Sequence, residues 1–133
     1  MLTERPRDER ISPRRLLSEE VACFWGEHHW SAVFADLSGS GAFIESSQLP
    51  PVGTALRLEF TLPFPKRGVR IRFKVHAAVI RCVDPQRNRH YLMPEGFSVR
   101  FANLTPKEKF CLEHFSLYEG LPTPTALTKS ASA

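Results

Sequence analysis

Nowhere in the chain does an apolar run approach the roughly 20 residues that span a bilayer, so membrane insertion is not expected. Cysteine is scarce. Cys23, Cys82 and Cys111 are odd in number and scattered, which argues against a disulfide framework and for a reducing compartment. The opening MLTERPRDERISPRRLL has no apolar core of the kind a secretory signal carries, and the expected location is the cytoplasm. Catalytic sets are missing as well. No paired carboxylates, nucleophile triad or metal set stands out. Gly39 sits immediately before Ser40, so a G-x-S-x-G elbow is not matched, and neither G-x-G-x-x-G nor a phosphate-loop fingerprint is present. Cys111-x-x-His114 alone is a weak metal signature, and Cys111 suits an apolar helix face better. An enzyme is therefore the weakest functional class, and no cofactor is expected.

What remains fits one soluble domain: 133 residues, 42% hydrophobic and 24% charged. The net charge of +4 and pI near 9.3 are mild, but the charge is unevenly placed. Residues 57–89 carry nine Lys or Arg against only Glu59 and Asp84, whereas in the first twenty residues five Arg meet five acids. Such a local excess attracts an anionic partner without naming it.

Periodicity gives the architecture. Residues 1–20 are polar, hold two prolines and show no period, so they read as a flexible, arginine-containing arm. Short strands follow at VACFW (21–25), HWSAVFADL (29–37) and GAFIE (41–45), the first two joined by a turn at Gly26-Glu27. Two longer strands alternate cleanly. ALRLEFTL (55–62) turns Leu56, Leu58, Phe60 and Leu62 to one face, and VRIRFKVHAAV (69–79) turns Val69, Ile71, Phe73 and Val75 inward. A long polar connection (84–96) leads to GFSVRF (96–101). The period then changes. Thr105-Pro106-Lys107-Glu108 is a capping-box signature, and Phe110, Cys111, His114, Phe115 and Tyr118 are spaced to share one helix face. Residues 120–133 have no means of packing and read as a disordered tail. The expected fold is all-β, a six-stranded antiparallel barrel with a C-terminal α-helix over residues 21–119.

Two motifs carry functional information. ADLSGSGAFIES contains D-x-S-x-x-G at Asp36, Ser38 and Gly41; alone, a tight turn accounts for it. ERISPRRLL contains R-x-x-x-R at Arg10 and Arg14; alone, a solvated arm accounts for that. Arginine nevertheless suits phosphates and guanine, because its planar fork bonds bidentately and stacks on bases.

Together, in this order and followed by GAFI, LRLEFTLP and GFSVRF, the two motifs resemble the PilZ domain over most of the chain, from about Arg10 to Tyr118. The last strand departs at Ser98, where that family often has glycine. The resemblance implies a six-stranded barrel that binds the bacterial second messenger cyclic di-GMP. Arg10 and Arg14 would hold guanine bases and phosphates. Asp36 and Ser38 would bond a guanine edge or support the arm, and Gly41 would let backbone approach the ligand. Arg15 and Arg81 are further contacts that no motif assigns. The expected role is a stand-alone receptor that orders its arm on binding and signals to an unidentified effector protein in motility, exopolysaccharide or virulence control. A second reading uses the outward residues Arg70, Arg72, Lys74 and His76 to dock nucleic acid or an acidic protein, independently of nucleotide. Phe73 between them should face the core, which leaves that strand without a base-stacking platform.

Overall fold

The computed structural model describes residues 15–84 and 94–119. Its strands are β1 (Arg15–Trp25), β2 (His28–Leu37), β3 (Gly41–Glu45), β4 (Ala55–Phe64), β5 (Val69–Val83) and β6 (Gly96–Ala102). They close in the order β1-β2-β3-β6-β5-β4, every neighbouring pair antiparallel, with β4 returning to β1 through Ala22↔Glu59 and Phe24↔Arg57. Closure leaves no open sheet edge. The expected all-β barrel with one C-terminal helix is the fold observed. The tail at 120–133 and most of the polar connection lie outside the described residues.

Local sequence explains each corner. Gly26 adopts φ 61 in the two-residue link between β1 and β2, a position where glycine costs least. Pro65–Arg67 form a single tight turn at the β4–β5 tip. Alternation on β4 buries Leu56, Leu58, Phe60 and Leu62, and β5 contributes Phe73, Val75, Ala77 and Val79. Phe60 lies at the centre, edge-on to Phe34 at 4.8 Å and stacked on Phe73 at 5.2 Å.

The structure differs from the sequence expectation in three places. β1 starts at Arg15, so six residues assigned to the arm belong to a barrel strand, four of them with pairing partners from Arg15↔Leu37 to Glu20↔Val33. Their pairing leaves no period-two signal because Leu16 points to solvent, 80% exposed, and the register shifts between Leu16 and Glu19. Near the β4–β5 tip, Val69 is exposed and Ile71 half-buried, whereas their partners Phe64 and Leu62 on β4 are buried, Phe64 against Phe115. The helix α1 (Pro106–His114) forms with the expected capping box: Thr105 Oγ1 accepts from Glu108 N–H, and Glu108 Oε1 accepts from Thr105 N–H. Its inward stripe, continued by a wider turn at Phe115–Glu119, is Leu112, Phe115 and Ser116. Phe110 is 61% exposed instead. The stripe is turned by about one residue because Phe115, packed 5.6 Å from Phe64, sets the rotation.

Candidate functional site

The D-x-S-x-x-G segment occupies the junction of β2 and β3. Between Phe34 and Asp36 the β2–β3 register shifts, making Ala35 an extra residue. The bulge lets Phe34 and Leu37, three apart, both reach the core, and it re-aims the intervening carboxylate. Asp36 is half-buried, and its Oδ1 accepts the Phe43 N–H at 3.0 Å.

Ser38 is fully buried, and its hydroxyl builds the turn. Its Oγ accepts the Ser40 and Gly41 N–H groups, each at 3.2 Å, and lies 3.2 Å from the Gly41 carbonyl and 3.3 Å from Ser40 Oγ. The Ser38 N–H donates to the Gly41 carbonyl at 2.8 Å. Gly41 is required from inside: a Cβ there would stand 2.2 Å from the Val99 carbonyl oxygen on β6. Glycine at this position thus serves close strand packing. In this geometry Ser38 and Gly41 shape the loop, and Asp36 is the motif residue presented at its edge.

Strand register brings the start of β1 beside the D-x-S-x-x-G segment. Leu16 pairs with Asp36 and Arg15 with Leu37, so Arg14 is the residue next in sequence to the pair beside Asp36. Arg10 and Arg14 themselves lie outside the described residues, and for Arg15 the backbone alone is described. The same transverse row continues from Asp36 to Phe43 on β3, Ser98 on β6 and Arg81 on β5. Arg81 is exposed and stands three strands from Asp36, about 14 Å at ordinary strand spacing. The described register shifts, at Leu16/Glu19, Phe34/Asp36 and Val79/Arg81, all fall beside this row. Phe43 and Ser98 went unassigned in the sequence because only pairing register reveals them.

The basic strand is a different environment. Arg70, Arg72, Lys74 and His76 are all exposed, as expected, and Phe73 is buried. Arg70 bonds Glu19 at 2.9 Å and Arg72 bonds Glu59 at 3.1 Å, so both arginines of the strand are partly answered within the sheet. Arg57 also bonds Glu59 and lies over the Phe24 ring at 4.3 Å. Cys23 is a core residue whose burial pushes its thiol up to about 12, and Cys82 Sγ, its pKa also raised by burial, donates to the Pro50 carbonyl at 3.1 Å. Among the described residues no group of His, Cys, Asp and Glu could hold a metal, and no helix is long and apolar enough to cross a membrane.

With this geometry in view, the model of the PilZ domain matches residues 6–117, and the chain belongs to the PilZ domain family. Solved structures share the fold. The inhibitor of motility MotI/DgrA of Bacillus subtilis superposes with TM-score 0.66 at 15% identity, covering 87% of this chain but 51% of its own. This chain thus spans about half the length of that protein. The PilZ domain of YcgR from Escherichia coli, solved with c-di-GMP, gives 0.59 at 13% identity over 91% of this chain and 95% of its own. The PilZ domain of CeSA from a cellulose-synthesizing bacterium gives 0.53 at 15% over 77% and 93%. No curated protein sequence matches the chain.

Proposed function

We propose that this protein is a receptor for cyclic di-GMP that performs no chemistry and acts in the cytoplasm through a partner protein. One observation carries the reading. The pairs Arg15↔Leu37 and Leu16↔Asp36 set the start of β1, which follows R-x-x-x-R in the sequence, beside the D-x-S-x-x-G loop. Membership in the PilZ family and the c-di-GMP held by the YcgR domain support the choice of ligand.

The chemistry divides by residue. Arg10 and Arg14 supply cationic forks for two phosphates and flat guanidinium faces for two purines. Asp36 accepts from a guanine N–H edge while keeping its bond to Phe43, since a carboxylate takes several donors. Ser38 and Gly41 hold the loop that aims Asp36, and Arg81 extends the site along the row. Arg15 reaches the ligand from the start of β1. Ligand draws the segment before Arg15 against this end of the barrel and so alters the surface offered to the partner, which sets whether motility, exopolysaccharide or virulence is controlled. Ordering that segment subtracts from affinity, and a dissociation constant near micromolar, about −8 kcal/mol or somewhat stronger, is expected.

Calorimetric titration with cyclic di-GMP, with GTP as control, tests the proposal. Saturable heat that is lost in Arg14→Ala is the expected result, and its stoichiometry counts the ligands bound. Absence of heat at high micromolar ligand, with the protein folded, contradicts it.

A further inference from the structure

The Ser38–Gly41 turn borders a depression of about 290 Å³ lined by Gly39, Ser40, Arg100, Phe101, Leu104 and Lys109. Its floor is apolar, Phe101 buried and Leu104 half-buried. Two exposed cations stand at its rim, Arg100 from β6 and Lys109 from the start of α1. On the β4–β5 face, Arg57, Arg70 and Arg72 each meet a carboxylate, whereas among the described residues neither Arg100 nor Lys109 forms an ion pair. Of the nearby acids, Glu108 closes the capping box, whereas Glu113 lies against Gly39, where a Cβ would stand 2.3 Å from its Cγ, so one carboxylate borders the notch beside the two cations.

Beside this notch runs an apolar ridge that the core does not use. Phe110 is 61% exposed and Leu117 38%, and the Phe110 ring stacks on His114 at 5.9 Å. A large exposed aromatic beside unanswered cations is a composition that protein interfaces favour.

We propose that the notch and ridge dock an acidic amphipathic segment of a partner protein, its carboxylates on Arg100 and Lys109 and a large apolar side chain against Phe110. Charge complementarity selects this occupant. A second copy of the chain meeting the same patch would set cation against cation, since a two-fold contact pairs a surface with itself. The patch also adjoins the nucleotide loop: Gly39 touches Glu113, and Ser116 Oγ donates to the Leu37 carbonyl at 3.3 Å. The inference deepens the receptor reading and rests on it for the link to nucleotide, because a shift of the loop would move α1 and one wall of the notch.

The test places a photo-crosslinking benzoylphenylalanine at Leu117, and separately at Lys107, in the full chain within the cells that make it. Adducts are sequenced by mass spectrometry. The expected adduct is a segment in which Asp or Glu flanks Leu, Ile or Phe. Its yield falls at least tenfold in Arg100→Glu/Lys109→Glu and recovers when the partner's acids are changed to Lys. The charge-reversed variant should melt cooperatively and bind cyclic di-GMP like the unaltered protein. An adduct to a second copy, to nucleic acid or to a basic segment overturns the proposal, as does a yield indifferent to charge reversal or no adduct at either position. Titration of the same proteins with cyclic di-GMP separates the two readings: nucleotide binding without an adduct defeats the docking surface alone, and an acid-dependent adduct without nucleotide binding defeats the receptor alone.

Discussion

Every residue of β4 pairs with β5 without interruption, from Ala55↔Ala78 to Phe64↔Val69, whereas β1, β2 and β3 meet through shifted registers at Leu16/Glu19 and Phe34/Asp36. The regular ladder places alternate residues of β4 toward the core and contributes Phe60 and Phe73 to its aromatic packing. The irregular ladders spend that regularity on aiming Asp36 and on bringing β1's first residues beside it. On the proposed reading, stability and recognition are divided between two sides of one barrel, and substitutions should separate them.

The largest expected effect belongs to the regular side. Phe60→Ala removes a ring packed against Phe34 and Phe73 and should cost about 3–5 kcal/mol in denaturant unfolding. Below its unfolding range, the variant should bind cyclic di-GMP with an unchanged dissociation constant. A weakened constant in the folded variant would erase the division.

At the irregular side the balance reverses. Asp36→Ala strips the Phe43 N–H of its acceptor at a cost of about 1–3 kcal/mol, yet should weaken nucleotide binding beyond measurement. Ser38→Ala falls between, because two N–H groups of the turn lose their acceptor; about 1–3 kcal/mol of stability should go, and binding should weaken severalfold. Amide exchange at Ser40 and Gly41 should rise in that variant, and unchanged exchange would show that the hydroxyl does not hold the turn.

The smallest effect is a pH slope in the core. Burial raises the Cys23 thiol from the ordinary 9.0 to about 12. The unfolded chain therefore ionises this thiol before the folded one does. Stability present below pH 9.0 is lost as pH climbs toward 12. Cys23→Ala, less stable at neutral pH, should show a shallower alkaline decline, and parallel declines would contradict the assignment.

The same contrast decides what the sequence made legible. β4 was readable because alternation and burial coincide, Leu56, Leu58, Phe60 and Leu62 all being inward, and on β5 they coincide from Phe73 on but not at Val69 and Ile71. Thr105 and Glu108 were readable because a capping box is a local device. β1 was read short because Leu16 faces solvent while Glu19 shares the inward, half-buried side with Leu17, so hydropathy does not follow the strand's alternation there. In α1, helical spacing allowed several stripes. Choosing Leu112, Phe115 and Ser116 over Phe110 required the docking of Phe115 beside Phe64, which is not local. For the candidate site, the motif letters were visible, but their division of labour was not. Only the packing of Gly41 against Val99 and the saturation of the Ser38 hydroxyl within its own turn distinguish loop-shaping residues from Asp36.

We propose that the arginine motif and the D-x-S-x-x-G loop form a single site across the Arg15↔Leu37 pairing. A double-mutant cycle in cyclic di-GMP affinity with Arg14→Lys and Asp36→Asn, mild enough to keep binding measurable, tests it most directly. Strong non-additivity, with the double variant little worse than the poorer single one, is the predicted result. Strict additivity, or single variants that bind like the unaltered protein, would contradict it.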